Sequence, residues 1–175
     1  MSTPNKLTVL RVLFIPIFMA FSLYDFALYS NYIALGIFIL AFITDVLDGY
    51  LARKTGQITD FGKIMDPLAD KLLVTAALVC LLQKGIVSSW VVVIILAREF
   101  IISGIRIVAA ADGKVIAASW WGKWKTVFQF IAISVAVFFD EKNIAVDIIV
   151  WFTALLTLVS GVDYIAKNAK YMSMK

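Results

Sequence analysis

The sequence predicts an all-α integral membrane protein, with six transmembrane helices in a compact bundle. Three observations carry this. Of the 175 residues, 62% are apolar or aromatic and only 16% are charged, against about 45–50% and about 25% in soluble domains. The mean hydropathy is +0.94. Six apolar stretches each approach the roughly 20 residues that a helix needs to cross a bilayer. The surplus apolar surface has to face lipid, and the length suits one domain spanning residues 1–175.

The first stretch, residues 7–29, follows the polar opening MSTPNKL. Thr3 and Pro4 read as a cap and a first-turn proline, so a short interfacial helix is expected to lead into the span. No small-residue cleavage pattern follows, and the run is read as a retained helix rather than a leader. A turn near Asp25 leads to the second stretch, residues 31–52, which becomes acidic at its inner end. The third, residues 64–82, opens with further acids and ends apolar around Cys80, a lone cysteine with no disulfide partner. A turn at Lys84 precedes the fourth, residues 87–108, which contains Arg98 and Arg106. The fifth, residues 122–139, begins where Trp120, Trp121 and Trp124 cluster beside Lys123 and Lys125, as in an aromatic belt at a lipid–water boundary. The polar turn Asp140-Glu141-Lys142 separates it from the sixth, residues 144–166.

Lys and Arg accumulate in short cytoplasmic loops. With the N-terminus inside, the inner side receives Lys6, Arg11, Arg53, Lys54, Lys63, Lys71, Arg106, Lys114, Lys123, Lys125, Lys167, Lys170 and Lys175, whereas the outer turns keep Lys84 and Lys142. A multi-pass protein of the cell membrane is expected, with both termini cytoplasmic and with lipids rather than nucleic acid as its surroundings.

The most informative run is DVLDGYLARKTGQITDFGKIMDPLAD, from Asp45 to Asp70. Asp45 and Asp48 are three apart and Asp66 and Asp70 four apart, so each pair shares a helix face. A short loop between the two helices makes them antiparallel neighbours, and all four acids are expected to aim at one point near the cytoplasmic boundary. Like charges gathered there demand a cation or protonation. The chain has no histidine, so the ligands are hard oxygens that select Mg²⁺, Mn²⁺ or Ca²⁺. Paired divalent ions are a common arrangement in phosphoryl chemistry. Gly49, Ala52 and Gly62 are small enough for a ligand to approach the backbone, and Arg53 suits phosphate oxygens. The set looks like a nucleotide-diphosphate pocket over a metal centre. Any one of these acids alone reads more simply as a cap or a solvated boundary residue; the set of four does not.

In Asp45, Asp48, Gly49, Ala52, Arg53, Gly62, Asp66 and Asp70 the sequence resembles the CDP-alcohol phosphatidyltransferases, filling every fixed position of their signature at the family's spacing. The resemblance implies that an alcohol hydroxyl attacks the β-phosphorus of a CDP-linked lipid and CMP leaves. It implies that Asp45, Asp48, Asp66 and Asp70 hold two Mg²⁺ or Mn²⁺ ions, and that Asp70 is also the general base. It further implies that Asp48, Gly49, Ala52, Arg53 and Gly62 line the CDP-lipid, and that the chain forms a homodimer.

The acceptor is expected where further positive charge gathers. Arg98 lies about halfway along the fourth stretch, where an arginine is costly unless it lines a polar cavity or pairs with an acid such as Glu99. Arg106, eight residues on, lies within about 80° of it around the helix. These two, with Lys123 and Lys125, are candidates to hold the phosphate of an anionic acceptor; Thr8 and Arg11 are candidates to reach the same cavity, although headgroup anchoring explains Arg11 equally well. The runs NKLTVLRVLFIP, MDPLADKLL, REFIISGIR and IAASWWGKWKT resemble one subgroup, the phosphatidylglycerophosphate synthases. That implies CDP-diacylglycerol and sn-glycerol 3-phosphate as substrates. The competing readings are a phosphatidyltransferase with another acceptor, such as inositol phosphate, a cation or proton transporter, and a non-catalytic scaffold. Clustering of the acids at one membrane face disfavours transport.

Overall fold

The computed structural model describes residues 3–24, 26–55, 60–111, 113 and 119–168, with side chains described for 8–24, 26–45, 47, 68–110, 113 and 119–168. The described residues form six α-helices: α1 (Thr3–Leu23), α2 (Ser30–Thr55), α3 (Asp60–Gln83), α4 (Ser89–Ala111), α5 (Trp120–Phe139) and α6 (Ile144–Asn168). One helix answers each expected apolar stretch.

The ends of α2 to α6 lie within four residues of the expected bounds, and α1 departs most. α1 starts at Thr3 and runs unbroken, so the cap and proline open the long helix itself and not a separate short one. Nothing between Pro4 and the apolar run stops a helix. At its other end α1 stops at Leu23 rather than at residue 29. The intervening Tyr24, Phe26, Leu28 and Tyr29 are apolar but exposed turn residues, which hydropathy alone does not distinguish from helix.

Local chemistry sets the other boundaries. Ser30 closes the α1–α2 turn, its Oγ accepting from the Ala27 amide at 2.9 Å and donating to the Ala27 carbonyl at 3.0 Å. Beyond α3, Gly85 adopts φ +71°; its N–H donates to the Leu82 carbonyl and that of Ile86 to the Leu81 carbonyl, both at 2.9 Å. This paired closure needs a left-handed residue, which glycine supplies without a Cβ clash. Ser119 caps α5, accepting from the Gly122 amide at 3.1 Å, and Asn143 caps α6 by accepting from the Val146 amide at 2.9 Å. Lys84 and Asp140 form an ion pair that ties the ends of α3 and α5.

α1 packs on α2 and α3, α6 on α4 and α5, and α2 on α5. Buried alanines, among them Ala34, Ala41, Ala77, Ala132, Ala136 and Ala154, let the backbones approach closely. Phe18, Phe38, Leu73, Leu81, Val91 and Val137 fill the centre. The outer surface is strongly apolar, with Leu13, Leu40, Phe100, Ile107, Ile148 and Val162 all exposed, a pattern that marks a lipid-facing protein. By length and composition, α5 and α6 are apolar enough to cross a membrane, and Thr8–Leu23 and Ser30–Asp45 are shorter apolar helical stretches.

Candidate functional site

Two of the four signature acids have described side chains. Asp45, on α2, forms an ion pair with Arg11 of α1 at 2.7 Å, and the Arg11 side chain is fully buried. Asp70, on α3, lies close enough to Asp45, Arg11, Glu99 and Lys125 to feel their charges. Helices α2 and α3 therefore bring these two acids into one neighbourhood. The backbones of Asp48, Gly49, Ala52, Arg53, Gly62 and Asp66 lie within α2 and α3, but their side chains fall outside the described residues. The two described carboxylates are oxygen donors of the kind a hard divalent cation takes; among the described residues no three acids converge on one point.

Asp70 also lines a cavity of about 240 Å³. Its walls come from four helices. α3 contributes Asp70 and Lys71, α4 contributes Arg98, Glu99, Ser103 and Arg106, the start of α5 contributes Ser119, Gly122, Lys123 and Thr126, and α6 contributes Tyr164. Four basic residues thus face one space beside two carboxylates, Asp70 and Glu99, an arrangement that can bind an anion next to a proton acceptor.

Each arginine has a partner on α6, and Arg98 is also held by its neighbour Glu99 on α4. Arg98 donates from Nη1 to Glu99 Oε1 at 3.0 Å and from Nη2 to Ser160 Oγ at 2.9 Å. Arg106 donates from Nε to Tyr164 Oη at 3.1 Å, with its guanidinium carbon 5.5 Å from that ring's centroid. Tyr164 itself is buried.

An apolar pocket adjoins the polar cavity, lined by Phe38, Phe42, Leu73, Leu96, Phe100 and Phe130. Phe130 stacks on Phe42, with centroids 3.9 Å apart. Asp70, Lys71, Glu99 and Thr126 line both spaces.

Of the acceptor candidates, Arg98, Arg106 and Lys123 share the cavity with Asp70. Lys125 faces the apolar pocket instead, is buried, and donates to Glu99 Oε1. Thr8 and Arg11 are buried on one face of α1, Arg11 against Asp45. The sequence placed Lys71 among the inner basic residues but did not single it out for the site, nor Ser103, Ser119, Thr126 or Tyr164. Lys71 had a signal, since it follows Asp70 directly. Tyr164 had none, because it reaches the cavity only through the packing of α6 on α4.

The sequence profile of the CDP-alcohol phosphatidyltransferase family matches residues 1–159. The chain is 41% identical to the CDP-diacylglycerol–glycerol-3-phosphate 3-phosphatidyltransferase of Bacillus subtilis, covering 94% of each chain. It is 37% identical to the protein of that name from Rickettsia bellii, covering 96% of each. With the Haemophilus influenzae protein of that name it shares 40% identity over 93% of this chain and 90% of the relative. A profile match over most of the length, with relatives this similar from end to end, means that the chain belongs to the CDP-alcohol phosphatidyltransferase family.

Proposed function

We propose that this enzyme transfers the phosphatidyl group of CDP-diacylglycerol to sn-glycerol 3-phosphate, giving phosphatidylglycerophosphate and CMP. The observation that carries the reading is the cavity in which Asp70 stands among Arg98, Arg106 and Lys123. An acceptor with a dianionic phosphate and a free hydroxyl matches that pairing of cations with a proton acceptor. The names of the relatives support the same pair of substrates.

In this reading Arg98, Arg106 and Lys123 hold the acceptor phosphate and leave its hydroxyl near Asp70. Asp70 takes the hydroxyl proton as the oxygen bonds to the β-phosphorus of the CDP-lipid; the bond to the CMP phosphate breaks, and CMP leaves. Asp48, Gly49, Ala52, Arg53 and Gly62 line the CDP-lipid. Lys125 stands behind the cavity against Glu99, and Thr8 and Arg11 stand on the Asp45 side. Asp45, Asp48, Asp66 and Asp70 would hold two Mg²⁺ or Mn²⁺ ions, which when bound would neutralise the pyrophosphate charge. All six helices cross the membrane, with both termini and the active site cytoplasmic, and the enzyme works as a homodimer.

The test is an acceptor panel: purified protein, CDP-diacylglycerol and Mg²⁺, offered sn-glycerol 3-phosphate, inositol phosphate or neutral alcohols, with CMP release followed. Release with sn-glycerol 3-phosphate alone is expected. Preference for inositol phosphate would replace the acceptor, and silence with every acceptor would overturn the reading.

A further inference from the structure

An arginine useful for binding a phosphate has to be held still, because a long side chain that is ordered only when the ligand arrives loses rotamer freedom at the expense of affinity. Arg98 is held by two acceptors. Glu99 accepts from Nη1 at 3.0 Å, and Ser160, fully buried on α6, accepts from Nη2 at 2.9 Å. Gly161 makes room for the same side chain, and Gly122 lies in ordinary contact range of it. A Cβ on Gly161 would lie 3.1 Å from Arg98 Cγ, and one on Gly122 would lie 3.4 Å from Arg98 Nη2.

Glu99 has a second partner, since its Oε1 also accepts from the buried Lys125. One carboxylate shared by two cations leaves the cluster positive. Simple neutralisation of Arg98 would need no second cation. The arrangement orients Arg98 at the cavity wall and keeps net positive charge beside it.

From this geometry we propose that Glu99 and Ser160 are positioning residues, which preorganise Arg98 for the acceptor phosphate and set acceptor affinity by fixing that side chain. The proposal rests on the reading of the cavity as the glycerol 3-phosphate site.

The experiment is steady-state kinetics of the full chain in mixed micelles, varying each substrate separately, with thermal melts alongside. Ser160→Ala, which deletes one hydroxyl acceptor, is expected to raise the acceptor KM about three- to tenfold. Glu99→Gln, which keeps shape and deletes charge, is expected to raise it about tenfold or more. In Ser160→Ala the KM for CDP-diacylglycerol and the kcat at saturating acceptor stay within about twofold, because uniform binding is what has been lost. In an Arg98→Lys background, Ser160→Ala adds less than about twofold, since residues that act through one another are not additive.

An unchanged acceptor KM in Ser160→Ala overturns the proposal, as does full additivity with Arg98→Lys. A parallel worsening of both KM values and kcat with a lowered Tm also overturns it, because that pattern marks a structural role. Should Glu99→Gln not accumulate, Ser160→Ala decides alone. Wild-type enzyme that transfers nothing to glycerol 3-phosphate removes the functional reading and this inference with it; active wild type without the KM split in the variants removes only the inference.

Discussion

Arg106 lies across the face of Tyr164, its Nε donating to the phenol oxygen at 3.1 Å while the guanidinium carbon sits 5.5 Å from the ring centroid. The hydrogen bond and the ring contact together fix the plane of the guanidinium, which is what a planar, forked donor needs to meet a phosphate.

Arg106→Ala is expected to raise the acceptor KM about 10- to 100-fold, the range for losing a hydrogen bond to a charged group. Tyr164→Phe, which keeps the ring and removes the oxygen, is expected to raise it about three- to tenfold. The KM for CDP-diacylglycerol stays unchanged in both. Varying each substrate separately checks this, and an unaltered acceptor KM in Arg106→Ala takes that residue out of the site.

Asp70→Asn preserves volume and removes the proton acceptor. A fall in kcat of about 10²- to 10⁴-fold is expected, with the protein still folded and inserted. Single-turnover CMP release is the direct readout, and turnover near wild type refutes the assignment of the base.

Chelation by EDTA is expected to abolish CMP release and to lower the melting temperature, because a cation bound by the folded acids stabilises that state by mass action. Mg²⁺ or Mn²⁺ restores both. Full activity in EDTA removes the metal from the proposed chemistry.

Topology is testable with single cysteines, because native Cys80 is buried and silent. Lys142→Cys and Lys167→Cys both place a thiol at an exposed position. An impermeant maleimide is expected to label position 142 in intact cells and position 167 only after permeabilisation. Equal labelling of both in intact cells contradicts the cytoplasmic C-terminus.

What was legible in the sequence is what local spacing encodes. Hydropathy located six helices because each is long and apolar, and it overran α1 because Tyr24, Phe26 and Tyr29 are as apolar as a helix while lying in a turn. The acid pairs were visible because spacings of three and four fall on one helix face. The anchoring of the arginines was not, since Ser160 and Tyr164 lie 62 and 58 residues from their partners and meet them only through packing of α6 on α4. Lys123 and Lys125 read alike in sequence, yet two residues turn a helix by about 200°, and they face different spaces.

Asp70, Lys71, Glu99 and Thr126 form a partition with a polar chamber on one side and a phenylalanine-lined recess on the other. A water-soluble reactant and a greasy one can approach such a wall from opposite sides. Neither then has to abandon its own solvent before the reacting atoms meet.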